Sequence, residues 1–144
     1  SREYITAVMG TSNRFVELVR AVLSGIPDGQ PVVMLNMLRY RADAQYPEDG
    51  GLEPCSGRQA YQRYAREAFR YVTGVGGDVV WRGSAEVGLI APPGERWDDV
   101  LLVRYPSKQA FLDMIANPGY QAIVVHRTAA LEDSRLVAML PTDG

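Results

Sequence analysis

His126 is the only histidine in the 144-residue chain. It is also the only side chain whose ordinary pKa lies near neutrality. Beside a cavity it would be a candidate general acid or base. A helix near Tyr120–Glu132 would set it on one face with Ala122 and Ala129, small neighbours that leave room beside the ring. The plainer alternative is a helix-surface or interface histidine bonded to a carbonyl. Asn36 interrupts the apolar run PVVMLNMLRY at 31–40. Leaving its amide unpaired there would cost roughly 1–3 kcal/mol, so it must orient a ligand or bond a neighbouring side chain. Arg39, Arg82 and Arg104 also fall on predicted strands. A buried guanidinium needs a carboxylate, such as Glu86 or Asp98, or an anionic ligand. Asn36 and Arg104 together would suit a substrate carboxylate or enolate. Arg127 aligns with the apolar stripe of Tyr120, Ile123, Val124 and Leu131, which turns a cation toward the core. Asp99 or Glu132 is its expected partner. Tyr61 and Tyr64 lie on the core stripe of a helix, where packing is the default and a hydroxyl reaching a pocket is the sharper option. Trp97 would close a pocket mouth or staple a dimer, and Asp98 would act as a base or cap a turn. The candidates are therefore His126, Tyr64 and Asp98 for catalysis. Asn36, Arg104, Arg82, Tyr61, Trp97 and Arg127 are the candidates for substrate binding.

Other chemistries are excluded by composition. One cysteine, Cys55, rules out an internal disulfide and cysteine-cluster metal sites, and one histidine rules out a multi-histidine zinc site within the chain. No metal is expected. Cys55 reads as inert, and a reducing, cytoplasmic setting is expected. No GxSxG, GxGxxG or GxxxxGK[ST] pattern occurs. The formal charge is -2, and the arginines are interleaved with acids, so no basic face for nucleic acid is expected. No apolar run approaches the ~20 residues of a membrane span. No basic-then-apolar leader opens the chain, so no secretory signal is expected.

The elements that position these residues follow from periodicity. Phe15, Leu18, Val19, Val22 and Leu23 predict an amphipathic helix over Asn13–Ser24, capped by Thr11 or Ser12. Tyr4–Met9 is a short apolar stretch without a firm assignment. Pro31–Tyr40 reads as a strand apolar on both faces. Arg41–Ser56 is a long loop, and Gly57–Gly74 a second helix. Asp78–Ile90 reads as a long strand bent near Gly83 or Gly88, and Asp99–Tyr105 as another. Lys108–Ala116 is a short helix, and Asn117-Pro118 restarts the chain into a helix near Tyr120–Glu132. Arg135–Leu140 is the last strand. The order after the first helix is βαββαβ, the α+β ferredoxin-like arrangement. Residues 1–30 form an N-terminal helical extension and 31–144 the ferredoxin-like domain. Helices cover one sheet face, yet the other is also apolar. Burial at about 25 cal/mol per Å2 favours covering it with a second copy of the sheet. A homodimer enclosing an α+β barrel is the expectation.

Three stretches carry a family resemblance: PVVMLNMLRYR at 31–41, GRQAYQRYAREA at 57–68, and RWDDVLLVRYPSKQAFLDMIANPGYQAIVVHRTAALEDSRL at 96–136. They resemble the domain-of-unknown-function family 1330 of the dimeric α+β barrel superfamily. The resemblance implies the same fold and dimer, and little about reaction. Related barrels include cofactor-independent monooxygenases, isomerases, lyases and haem enzymes, which is analogy only. The expectation is a small-molecule enzyme working without metal or nucleotide cofactor, by oxygenation, isomerisation, cyclisation or lyase chemistry. Its substrate would be apolar, and anionic or aromatic, held between sheet and helices. A haem bound through His126 is the cofactor alternative. A non-catalytic dimeric small-molecule-binding or stress-related protein is the competing class.

Overall fold

The structure, a computed structural model, describes residues 12–48 and 52–143. Its elements are α1 (Ser12–Val22), a 3-10 turn (Leu23–Gly25), β1 (Val32–Tyr40), α2 (Gly57–Gly74), β2 (Asp78–Ser84), β3 (Asp99–Tyr105), α3 (Lys108–Ala116), α4 (Pro118–Ala130) and β4 (Leu131–Met139). The four strands form one sheet in the order β2-β3-β1-β4, every neighbouring pair antiparallel. With βαββαβ connectivity this is the ferredoxin-like α+β fold. The Tyr4–Met9 stretch and the Thr11 cap lie outside the described residues, as does the Ser12 side chain. Among the described residues no helix is long and apolar enough to cross a membrane.

Local chemistry sets the element ends. Ser56 caps α2 by accepting from the Gln59 amide, and the Gln59 side chain accepts from the Ser56 amide in return. Ser107 accepts from the Ala110 amide to start α3. Asn117 ends α3, and its side chain accepts from the Gly119 amide to open α4, with Pro118 in the first turn. The last helix therefore begins and ends two residues earlier than its apolar pattern predicts. Leu131 is already in β4, paired with Tyr40. β2 also departs from expectation. It stops at Ser84 because its partner β3 stops at Asp99, and the Ala85 amide bonds the Asp98 carbonyl to close the ladder. The apolar residues beyond it, Val87, Leu89 and Ile90, are exposed in the connecting loop.

β1 alternates strictly. Val32, Met34, Asn36 and Leu38 are buried under the helices, and the residues between them are only partly covered. The main core joins Val32 and Met34 to Val103 and Tyr105 of β3 and to Phe111, Met114 and Ile115 of α3. α1 adds Val16 to this same core, and Leu23 follows it, so the N-terminal helix is part of the domain's packing. Lys108 ties its end down, bonding the Leu23 carbonyl and pairing with Asp28. The opposite sheet face carries Val33, Leu35 and Met37, with Val100 and Leu102 beside them on β3. Val137, beside Leu35 on β4, is 46% exposed.

Gly57 is a packing requirement. A Cβ there would collide with the backbone carbonyls of Arg41 and Ala130, where the end of β1 meets the end of α4. Alanine at an ordinary helix position gains about 1 kcal/mol over glycine. At Gly57 the sign is expected to reverse: Gly57→Ala should destabilise by roughly 2 kcal/mol or more, because backbone must move. A urea titration checks this.

Candidate active site

Between the helices and the sheet lies a cavity of about 480 Å3. β1 contributes Met34, Asn36, Leu38 and Tyr40 to its lining, alternate residues on one pleat face. β3 contributes Asp99, Leu101, Val103 and Tyr105 in the same alternation, together with Val100. α2 contributes Tyr61, Tyr64, Ala68 and Val72, and α4 contributes Tyr120 and Arg127, seven residues and two turns apart. Exposed lining residues mark a mouth along the β2 edge: Gln62 and Phe69 of α2 face Arg82 and Ser84 of β2.

Arg127 dominates the electrostatics. It sits deep among protein atoms, is only partly accessible, and lines the cavity. No carboxylate among the described residues lies within ion-pair distance of it. The two expected partners are engaged elsewhere: Glu132 pairs with Arg39 and Arg96, and Asp99 pairs with Arg58. Burial opposes its charge and the Tyr61 hydroxyl accepts a hydrogen bond from it, and Arg127 stays a guanidinium. The lining holds three arginines (Arg58, Arg82 and Arg127) against one carboxylate, Asp99.

The tyrosines form a continuous train. Tyr40 and Tyr61 have ring centroids 5.6 Å apart, Tyr61 and Tyr64 5.3 Å, and Tyr64 and Tyr120 6.1 Å. The Tyr64 and Tyr120 hydroxyls share a 2.6 Å hydrogen bond. Burial raises Tyr120 to about 12. Burial first, then neighbouring hydroxyls, raises Tyr61 and Tyr64 further still. All three are therefore neutral hydrogen-bond donors across the physiological range. Tyr40 and Tyr105 are raised by the same cause. The sign for stability follows. The unfolded phenols ionise near pH 10 while the folded ones do not, so stability is full below that pH and falls as pH rises through it. The phenolate absorbance of these five tyrosines, of eight in the chain, should therefore appear only with unfolding; their ionisation in a folded chain would contradict this.

Asn36 completes the wall. It is 9% exposed, and its amide makes one long bond, 3.4 Å, to the Met34 carbonyl. On the same wall the Tyr40 hydroxyl donates to Asp99 Oδ2 at 2.7 Å, and Arg58 Nη1 donates to the same oxygen at 3.0 Å.

Of the residues singled out from sequence, Asn36, Tyr61, Tyr64, Arg82 and Arg127 come together around this cavity. Four others do not line it. Adjacent helical residues diverge by about 100°, and because Arg127 points in, His126 points out. Its Nδ1 lies 2.6 Å from the Tyr46 hydroxyl, which also accepts from Arg63 at 3.4 Å. Asp98 accepts from the Tyr40 amide and pairs with Arg96, fixing the strand entry. Trp97 lies under the guanidinium groups of Arg39 and Arg135. Arg104 pairs in register with Val33 and is exposed on the opposite sheet face from Asn36, so these two cannot share a ligand. Haem through His126 does not fit either, since among the described residues neither histidine nor cysteine lines the cavity. Among the described residues no group of three His, Cys, Asp or Glu is placed to hold a metal ion. Tyr40, Arg58, Asp99 and Tyr120 were not among the site candidates. Their signal was the alternation of the two strands, which sets Tyr40 and Asp99 in the same wall as Asn36, and the helical spacing of Tyr120 and Arg127.

The His126 cluster has its own pH signature. Burial first and Arg63 second lower its pKa below the ordinary 6.5, with Glu67 opposing. Its contribution to stability is therefore present above about pH 6.5 and lost as pH falls. The urea midpoint of the wild type should decline from pH 7 to 5 more steeply than that of His126→Asn.

The matching family profile, a domain of unknown function, DUF1330, spans residues 55–140. The chain belongs to the DUF1330 family. Two solved structures are similar over nearly the whole length. One is the crystal structure of methylated RPA0582 protein, 40% identical, with a TM-score of 0.79, covering 88% of this chain and 92% of that one. The other is RPA0582, a protein of unknown function from Rhodopseudomonas palustris, 39% identical, with a TM-score of 0.80, covering 89% and 95%. No curated protein matches. DUF1330 membership accords with the ferredoxin-like sheet and assigns no chemistry to the cavity.

Proposed function

We propose that this DUF1330 protein binds a small, mostly apolar molecule through an anionic group, a carboxylate or enolate, seated on Arg127. Its action on that molecule is acid–base chemistry without a resident metal or nucleotide cofactor. One observation carries the reading: a guanidinium enclosed by protein, facing a cavity, with no carboxylate partner among the described residues. A buried charge without a counter-ion is costly, and a ligand anion would supply the missing partner. The same lining offers Asn36 and the hydroxyls of Tyr61, Tyr64 and Tyr120 as neutral hydrogen-bonding groups. Donors fixed in advance around developing negative charge are what an enolate-forming isomerisation, cyclisation or lyase reaction requires. The Tyr64 and Tyr120 hydroxyls share one hydrogen bond, which leaves one proton of the pair for the ligand. One observation favours the non-catalytic alternative, a binding module: no base accompanies these donors at the Arg127 end.

The same proposal includes a homodimer. Leu35, Leu102 and Val137 sit side by side in register on the uncovered face, and a second copy of that face is its simplest cover. A cytoplasmic setting accords with the free thiol of Cys55.

Calorimetric titration with aryl carboxylates and their neutral amides tests the ligand class. The acids should bind and the amides should not. Equal binding of both would remove the anion from the account.

A further inference from the structure

Resting on the anion reading above, we infer that the ligand also carries a hydrogen-bond donor at its far end, a hydroxyl, received by Asp99; the substrate class is a hydroxy-substituted apolar carboxylic acid. The geometry at Asp99 is asymmetric. Both of its donors, Tyr40 and Arg58, converge on Oδ2, at 2.7 and 3.0 Å. Oδ1 accepts nothing from the described residues, and it is not a closed-off buried atom. Among the described residues Asp99 is the one carboxylate that lines the cavity. A carboxylate offers about four acceptor sites, so an oxygen with none used, on a cavity wall, is free to take a ligand proton. Tyr40 and Arg58 fix the carboxylate's position while leaving that oxygen free.

Tyr61 lines the cavity together with both polar groups. Its ring packs on Tyr40, which bonds Asp99, on one side and on Tyr64 on the other. Between the ends the walls are aliphatic and aromatic, including Leu101, Val103 and Tyr105. A ligand matching this pattern has an anion at one end, a flat or apolar middle and a hydroxyl at the other.

The test uses the full chain and three pairs of probes: 4-hydroxybenzoate, 4-hydroxyphenylacetate and 3-(4-hydroxyphenyl)propanoate, each against its deoxy counterpart, by calorimetry. The hydroxyl should tighten binding about tenfold at one of the three lengths, because a hydrogen bond to a carboxylate is charge-assisted. The corresponding methyl ether, which cannot donate, should lose that gain on the wild type. Asp99→Ala should also lose the difference between hydroxy and deoxy acid. Deoxy acids that bind with no hydroxyl gain at any length would overturn this inference and leave the anion reading standing. A gain that persists in Asp99→Ala, or in the methyl ether, would overturn it too. Failure of every acid to bind would overturn both.

Discussion

Arg127→Met is expected to abolish carboxylate binding while leaving the fold intact. Methionine is close to arginine's stem in length and has no charge to desolvate. Among the described residues the wild-type cation has no carboxylate to lose, since Glu132 and Asp99 belong to other arginines. Replacing an uncompensated buried charge by an apolar side chain is commonly neutral or stabilising. The melting temperature should therefore stay or rise. Binding should behave in the opposite way. A charge-assisted, enclosed pair is worth roughly 2–4 kcal/mol, a loss on the order of 100-fold in affinity. Arg127→Lys should fall between, because an ammonium keeps the charge and loses the planar fork. Paired melting and calorimetric measurements separate the two effects. Lost binding together with a large loss of stability would mean that Arg127 is a structural residue of the core.

Leu35→Glu is expected to dissociate the dimer into folded monomers. Leu35 lies one residue before the midpoint of β1, flanked in register by Leu102 and Val137. It lies on the face away from the helices, so the substitution leaves the core untouched. At a two-fold interface the change occurs twice, and each copy would bury a carboxylate without a partner. That costs several kcal/mol in all, weakening association by roughly 1,000-fold or more. Sedimentation equilibrium at micromolar concentration should show wild-type dimer and variant monomer, with unchanged circular dichroism. A wild type that sediments as a monomer would sink the dimer reading at once.

Much of this was legible in the chain, and the reasons are local. α2, β3 and α3 have strong caps and breakers at Ser56, Pro106 and Ser107, and their ends fall where those residues predict. The limits of β2 were not legible, because a strand ends where its partner does, and that depends on register with β3. The beginning of β4 was hidden because Leu131 continues the apolar stripe of α4 while already pairing with Tyr40. Within the site, the stripe of Tyr120, Ile123 and Val124 turned Arg127 inward, but not which of two neighbours, His126 or Arg127, would matter. A lone histidine draws attention through its pKa, and geometry placed it against Tyr46. Asp98 and Asp99 present the same ambiguity on a strand, resolved by a single step of the pleat. Asn36 and Arg104 fall on opposite faces for the same reason.

The most direct measurement is a co-crystal of the protein with a bromine-labelled aryl carboxylate, 4-bromobenzoate. The anomalous signal fixes the bromine, and the density fixes the carboxylate. The predicted result is the carboxylate against the Arg127 guanidinium, within hydrogen-bond reach of Asn36 or the Tyr64–Tyr120 pair, with the bromine pointing along the aromatic wall. A carboxylate held only by Arg82 or Arg58 at the rim, with the space before Arg127 empty, would contradict it.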